Sequence, residues 1–173
     1  MSTKLARVVD HIQDLRRYAL TLTRNGQDAE DLVQEALTRA YDRRASFRIG
    51  RALKPWLMAI LHNTFVDGIR SQKLRLNHEA GTVPPADFIA PSQDDAVHLS
   101  EIRRAFLDLP DEQREALHLV GIEGLSYPEA AQVLGVPEGT VLSRVSRARK
   151  TLREREHSPK PSHLKIVRGS NGP

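Results

Sequence analysis

Apolar residues recur along most of the chain every three to four positions, the spacing of an α-helix with one buried face. The pattern is clearest within residues 28–42, whose apolar positions form one stripe: Ala29, Leu32, Val33, Ala36, Leu37, Ala40 and Tyr41. Stretches of strict alternation, which are typical of strands, are hard to find. The sequence therefore predicts an all-α fold.

Glycine, proline and asparagine positions divide the first half of this pattern into helices. We expect a first helix over 4–24 that Asn25 and Gly26 stop, because both residues tolerate a left-handed conformation. Pro55 suits the first position of a further helix, which ends in a basic run at 70–75. The first half is thus predicted to hold three helices.

The second half carries its own helix boundaries. Helices are expected around 96–107 and from Pro110 onward, where acidic residues follow the proline and suit the positive end of the helix dipole. Ser126 and Glu129 have the spacing of a capping box, which predicts a short helix over 127–134.

The segment after this short helix has the spacing of a helix-turn-helix motif. Such a motif needs a small residue where its helices cross, a residue that accepts positive φ in the turn, and apolar residues beside the turn. Ala131, Gly135 and Val136 meet these needs. The second helix would bury a stripe formed by Val141, Val145, Ala148 and Leu152.

The other face of that second helix has the chemistry of a DNA-reading surface. Residues 140–155 hold six basic groups and one acidic group. Small polar side chains and guanidinium groups can enter a major groove or touch phosphates. A solvated helix surface can have the same composition, but the capping box, the turn spacing and the charge agree with one another.

The placement of charge also predicts domains. The chain of 173 residues has a formal net charge of +4, with 14 basic and 8 acidic groups in residues 1–75 and only acidic ones in 76–98. Residues 77–95 also contain Pro84, Pro85 and Pro91, which is linker composition. We therefore expect two small helical domains at 1–76 and 96–155, a flexible linker at 77–95, and a disordered basic tail at 156–173.

Composition excludes several classes of function. The chain contains no cysteine, which rules out disulfide scaffolds, thiol catalysis and cysteine-ligated zinc. The seven histidines are dispersed, and neither a metal motif nor a phosphate-cradling glycine loop occurs. With no apolar run of about 18 residues, we expect a cytoplasmic, non-membrane protein that is not an enzyme and needs no cofactor or metal.

Three segments together resemble one protein family. They are DAEDLVQEALTRAY at 28–41, LKPWLMAILHNTFVDGIR at 53–70, and LPDEQREALHLVGIEGLSYPEAAQVLGVPEGTVLSRVSRARKTL at 109–152. The ordered combination resembles the extracytoplasmic-function (ECF) sigma factors. The amino-acid sequences of the second and third segments are similar to the EcfG-type sigma factors of alphaproteobacterial stress responses. The resemblance implies a sigma-2 domain, a sigma-4 domain and a role in promoter-specific transcription initiation.

The resemblance also implies partners and binding residues in the first domain. Core RNA polymerase would bind through its β′ clamp helices and β flap, with the clamp helices contacting Asp28, Asp31, Gln34, Glu35 and Arg39. The unstacked minus-ten strand of the promoter would contact Phe47, Arg48, Arg51, Leu53, Lys54, Asn63 and Arg70. A cationic groove with aromatic surfaces suits single-stranded DNA, and an amide can read a base edge. Asn63 could equally be a helix-surface amide, and Trp56 is expected to belong to the core.

In the second domain, the resemblance implies that the helix-turn-helix reads the minus-thirty-five element. The matching positions are Thr140, Leu142, Ser143, Arg144, Ser146, Arg147, Arg149 and Lys150. Arg147 is the strongest candidate for a guanine contact. Leu142 stands where many members of the family carry arginine or lysine, so we expect the base or phosphate contact that those side chains make to be missing there.

Other readings of the sequence predict different partners. A sigma-like decoy would bind an anti-sigma factor without DNA, as the sigma-like domains of PhyR regulators do, and an ordinary operator-binding repressor or activator would bind DNA without polymerase. The intact basic groups at 140–155 argue against the decoy, and the second DNA-facing block argues against the repressor or activator. For a sigma factor, the resemblance implies an anti-sigma partner of the NepR kind and no small-molecule substrate.

Overall fold

The computed structural model describes residues 8–47, 50–76 and 95–157, and every regular element in those ranges is helical. This confirms the predicted all-α class. The helices are α1 (Ile12–Thr23), α2 (Gly26–Asp42), α3 (Leu53–Leu76), α4 (Asp95–Leu107), α5 (Asp111–Leu117), α6 (Tyr127–Leu134) and α7 (Glu138–His157). A short 3-10 helix spans Arg44–Ser46, and a π-helical turn spans His118–Ile122.

The helix that the apolar pattern predicts over 4–24 is interrupted at Asp10 and His11. Residues 4–7 lie outside the described part of the chain, and a turn at Asp10 and His11 separates the helical residues Val8 and Val9 from α1. His11 has φ −104° and ψ 0°, and its Nδ1 atom lies 3.3 Å from the Asp14 carboxylate. The continuous helix expected over 4–24 is therefore wrong, because His11 leaves the helical region to start a new helix.

The turn between α1 and α2 lies at the predicted place, but a different residue takes the left-handed conformation. The left-handed residue is Arg24, with φ 57°, whereas Asn25 is extended at φ −135°. The Asn25 side chain accepts hydrogen bonds from the backbone N–H groups of Gln27 and Asp28, at 2.8 and 3.1 Å. Asparagine caps the next helix because its short amide reaches two otherwise unpaired donors.

Helices α1, α2 and α3 form one layer of the hydrophobic core. Their buried side chains lie on the stripes that the spacing predicts, with Tyr18, Met58 and Leu61 fully buried. Trp56 is partly buried and packs against this core, as expected from its place near the apolar stripe. The side chains of residues 73–76, which include part of the basic run, lie outside the described set.

Helices α5, α6 and α7 form the second layer, with α4 against α7. Pro110 precedes α5 rather than occupying its first position, because its carbonyl accepts the first helical hydrogen bonds from Gln113 and Arg114, both at 2.9 Å. The predicted helix over 127–134 is confirmed at both ends. The buried side chains of the second layer include Leu119, Val133 and Val141.

The two layers pack directly on each other. Helix α3 contacts α6, and α1 contacts α5 and the π-helical turn, so the buried apolar side chains form one cluster. The predicted linker lies outside the described residues except for Asp95, which begins α4, and the predicted tail lies outside them except for the last two residues of α7. No helix in the described ranges has the length and apolarity that crossing a membrane requires.

A buried polar network joins the layers. The fully buried Glu123 carboxylate pairs with Arg17 at 3.2 Å, Lys54 at 2.7 Å and His118 at 3.1 Å. Burial alone would raise the pKa of Glu123, but the hydrogen bonds from His118, Lys54 and Arg17 outweigh burial and lower it to about 2. Glu123 is therefore a buried carboxylate whose charge is compensated across the contact between layers.

Arg114 provides a second polar link between the layers. Its guanidinium is almost fully buried and donates to the backbone carbonyls of Thr21 at 3.1 Å and Leu109 at 3.0 Å. It also pairs with Asp111 at 2.8 Å. A buried guanidinium is stable only when such acceptors surround it, so the Thr21 carbonyl holds α5 against α1.

Candidate nucleic-acid interface

The turn between α6 and α7 has the geometry of the predicted helix-turn-helix. Ser126 and Glu129 form the capping box: the Ser126 N–H donates to the Glu129 carboxylate at 2.8 Å, and the Glu129 N–H donates to Ser126 Oγ at 3.4 Å. Gly135 has φ 65°, and the Val136 N–H donates to the Ala131 carbonyl at 3.2 Å. The turn thus uses the left-handed glycine that the spacing predicts.

Helix α7 has one buried and one exposed face. Val141, Val145 and Ala148 are at most 1% exposed, and Leu152 packs partly buried beside them. The exposed face carries Leu142, Ser146, Arg147, Arg149 and Lys150. The predicted apolar stripe is confirmed, so α7 presents small, apolar and cationic groups outward while the stripe anchors it.

Three of the predicted DNA-contacting residues on α7 are less available. Thr140, Ser143 and Arg144 are partly buried, and Ser143 Oγ donates to the Thr140 carbonyl at 2.9 Å. Arg144 is 16% exposed and pairs with Glu112 on α5 at 2.8 Å. By contrast, Arg147 and Arg149 are exposed, and neither forms an ion pair with a described residue. The structure therefore leaves Arg147 and Arg149 with the fewest competing protein partners.

The predicted minus-ten residues divide into two groups. Phe47 and Trp56 pack ring to ring, with centroids 5.1 Å apart, and Arg51 is exposed beside them in sequence. Asn63 and Arg70 are exposed on α3. Arg51, Asn63 and Arg70 are therefore available to an outside partner, whereas Phe47 and Trp56 are partly buried.

The remaining minus-ten candidates are engaged or undescribed. Leu53 packs partly buried against the core. Lys54 bridges Asp14 at 3.1 Å and Glu123 at 2.7 Å, so its ammonium neutralises two carboxylates at the contact between the layers. Arg48 lies outside the described residues. A DNA contact by Lys54 would have to replace both ion pairs.

The predicted polymerase-binding face of α2 is open to solvent. Asp28, Asp31, Gln34 and Glu35 are exposed, on the side opposite the buried stripe. Arg39 pairs with Glu35 at 2.7 Å and with Asp67 at 2.9 Å, and the bond to Asp67 is the main cause of its raised pKa. The surface is therefore mainly acidic, with its one cation tied to α3.

Sequence reasoning missed the polar residues that join the layers. Arg114, His118 and Glu123 stand among apolar residues in REALHLVGIEGL, and Arg17 lies in α1. Polar groups that interrupt a buried helix face are the signal that could have revealed them, because a buried charge needs a partner from another element.

Two segments of the chain match sigma-70 families. Residues 8–75 match the family described as Sigma-70 region 2, and residues 99–152 match the family described as Sigma-70, region 4. The ECF RNA polymerase sigma factor EcfG of Rhodopseudomonas palustris (strain TIE-1) is 40% identical over 141 residues, which cover 82% of this chain and 78% of that protein. The ECF RNA polymerase sigma factor SigW of Bacillus subtilis (strain 168) is 36% identical over 163 residues, which cover 86% of this chain and 87% of that one.

Solved structures show the same fold. The sigma factor RpoE from Bartonella quintana, crystallised with the anti-sigma factor NepR, is 34% identical with a TM-score of 0.81, and the match covers 92% of this chain and 100% of that one. The PhyRSL–NepR complex from Sphingomonas sp. Fr1 matches with a TM-score of 0.68 at 20% identity, covering 100% of this chain and 98% of that one. The second likeness is one of fold alone.

Proposed function

Because the chain belongs to the ECF sigma factors of the sigma-70 family, we propose that it binds core RNA polymerase and directs it to one class of promoters. In this role the protein supplies promoter recognition while the polymerase makes the RNA. Such work takes place on chromosomal DNA, so we expect the protein in the cytoplasm.

The observation that carries this proposal is the division of α7 into two faces. Its apolar stripe is buried against α5 and α6, while Arg147 and Arg149 are exposed without an acidic partner among the described residues. Exposed guanidinium groups on the second helix of a helix-turn-helix suit guanine edges and phosphates of a major groove. In this proposal, residues 96–155 read the minus-thirty-five element.

In this proposal, the first domain binds core polymerase and the minus-ten strand. Residues 1–76 dock on polymerase through the acidic face of α2, and the exposed Arg51, Asn63 and Arg70 lie on the side that receives the minus-ten strand. Phe47, whose ring packs on the core residue Trp56, supplies an aromatic surface that suits unstacked bases. On the promoter the packing between the two layers would open, and the predicted linker at 77–95 would span the distance between the two elements.

The proposal predicts promoter-specific transcription that depends on Arg147. Binding sites are first selected from random duplexes and joined to the minus-ten sequences found upstream of mapped start sites. Run-off transcription is then measured with purified core polymerase and the full chain. We expect Arg147→Ala to reduce it roughly tenfold or more, since a bidentate guanine contact contributes about 1–3 kcal/mol of discrimination.

A matched control removes another exposed arginine. Arg16→Ala on α1 loses only a half-exposed pair with Glu30 and is expected to keep wild-type transcription. No run-off product from the wild-type chain, with core polymerase shown to be active with another sigma factor, would overturn the proposed function.

We further propose that the protein serves a stress response under an anti-sigma factor of the NepR kind. Support comes from the similarity to the sigma factor named EcfG and to the NepR-bound RpoE. Added NepR-like protein should then suppress run-off transcription in a saturable way. A pull-down from the source bacterium that recovers polymerase subunits and no small inhibitor protein would contradict this part alone.

The decoy alternative makes a different prediction. A sigma-like decoy would keep its anti-sigma partner and have no need for Arg147. Arg147 and Arg149, which are exposed and have no acidic partner among the described residues, favour the DNA-binding function, and promoter binding lost in Arg147→Ala with anti-sigma binding retained would separate the two.

A further inference from the structure

Leu142 is the large apolar side chain exposed on the outward face of α7. It is 54% exposed, whereas the other large apolar residues of this helix are buried or partly buried. Its exposed neighbours one turn away are Gly139 three residues before it, Ser146 four residues after it, and the Glu138 side chain four residues before it. A Cβ built on Gly139 would meet nothing within 4 Å. Leu142 therefore projects from the helix without a packing partner.

The polar groups nearest in sequence do not compensate for this apolar surface. The Ser143 hydroxyl donates to the Thr140 carbonyl, and the Arg144 guanidinium pairs with Glu112. Hydrogen-bonding capacity for an outside partner is thus concentrated further along the helix, at Ser146 and Arg147. The first turns of α7 offer shape and apolar contact more than they offer donors.

The charge around this projection indicates its occupant. Arg147, Arg149 and Lys150 follow on the exposed side of the same helix and outnumber the one exposed acidic residue of its first turn, Glu138, so the surface attracts a polyanion. The major groove of DNA has one prominent apolar feature at a base edge, the 5-methyl group of thymine. An apolar side chain within a cationic helix face matches a groove that presents this methyl group between two phosphate backbones.

We propose that Leu142 is a specificity-determining residue that packs against the 5-methyl group of a thymine in the promoter element read by α7. The inference rests on the proposed DNA-binding function and adds the base that one residue selects. Discrimination at this position comes from apolar contact and exclusion of water rather than from hydrogen bonds.

The test removes single methyl groups from the DNA. A site selected with the full-length protein is synthesised with each thymine in turn replaced by deoxyuridine, which lacks only the 5-methyl group. Dissociation constants are measured for the wild-type chain and for Leu142→Ala. For the wild type, one position should weaken binding about fourfold, the effect of one buried methyl-sized group. For Leu142→Ala, the same replacement should change nothing.

Two further variants keep the result interpretable. Ile102→Ala removes a comparably exposed apolar side chain from α4 and should retain the full sensitivity to the methyl group. Leu142→Arg should shift the selected base at this position from thymine toward guanine, because arginine pairs with the guanine edge.

The outcomes separate the inference from the function it rests on. If Leu142→Ala and the wild type respond equally to every deoxyuridine while Arg147→Ala abolishes binding, the thymine contact is wrong and DNA binding stands. If Leu142→Ala instead loses only polymerase or anti-sigma binding, Leu142 contacts a protein and the inference falls. If no sequence is selected at all, both proposals fail.

Discussion

Single charged residues decide how the two layers of helices hold together. Glu123 has no exposed side-chain surface and accepts from three cationic or polar groups, two of them on the opposite layer. Removing one member of a buried ion pair leaves the other charge uncompensated, which costs more than an exposed pair contributes. Arg17 and Lys54 retain some solvent contact, so the cost is reduced but not removed.

We expect Glu123→Gln to lower the free energy of unfolding by about 2–3 kcal/mol at pH 7. The Glu123 pKa is lowered to about 2, so its stabilisation is complete above the ordinary pKa of 4.5 and is lost as the pH falls from there toward 2. Urea unfolding of the wild type and of Glu123→Gln at pH 7, 5 and 4 should therefore show a difference in unfolding free energy that stays constant to pH 5 and then begins to shrink.

Asp108→Asn, which removes an exposed pair with Arg155, is the control and should cost less than about 1 kcal/mol. A difference in unfolding free energy that is as large at pH 4 as at pH 7 would contradict the assignment.

At the scale of elements, the turn before α7 depends on one backbone conformation. Gly135 has φ 65° and nothing lies within 4 Å of a Cβ built there, so the only penalty for a side chain is the left-handed backbone. Gly139 has the same open surroundings but lies within α7, where alanine is favoured over glycine. The two glycines therefore differ in conformation alone.

Alanine should have opposite effects at these glycines. Gly135→Ala is expected to destabilise the protein by about 1–2 kcal/mol, whereas Gly139→Ala should stabilise it by up to about 1 kcal/mol. Denaturant midpoints at constant m-value measure both changes. Equal effects would mean that the turn does not depend on the left-handed residue.

At the scale of the whole molecule, the shared core couples the two sigma regions. Apolar clusters from α1–α3 and α5–α7 are continuous, and Arg114 and Glu123 bond across them. A disturbance in the second layer should therefore reach the first. Trp56, the single tryptophan of the chain, reports on the first layer alone.

Val145→Ala tests this coupling, because Val145 is buried in α7, far along the chain from Trp56. Truncating it should cost about 2 kcal/mol and should shift the unfolding midpoint seen by Trp56 fluorescence as much as the midpoint seen by far-UV circular dichroism. An unchanged Trp56 midpoint would show that the layers unfold independently.

The apolar spacing, the turn residues and the capping residues were enough to predict most of the helices and the helix-turn-helix. Those signals are local: the buried stripe of α7, the Ser126–Glu129 capping box and the left-handed Gly135 each depend on residues within a few positions of one another. The break at His11 and the exchange of roles between Arg24 and Asn25 were missed; at the second place, the Asn25 side chain caps α2 while Arg24 takes the left-handed conformation.

By itself, the sequence determined the helical class, the places of the turns and the cationic face of α7. Only the tertiary structure decided which charges remain available to partners. Lys54 and Arg144 read as DNA-binding cations in the sequence, yet Asp14, Glu123 and Glu112 neutralise them from distant positions. The reason is physical: helical periodicity is set by neighbours along the chain, whereas the partner of a charge is set by which helices pack together.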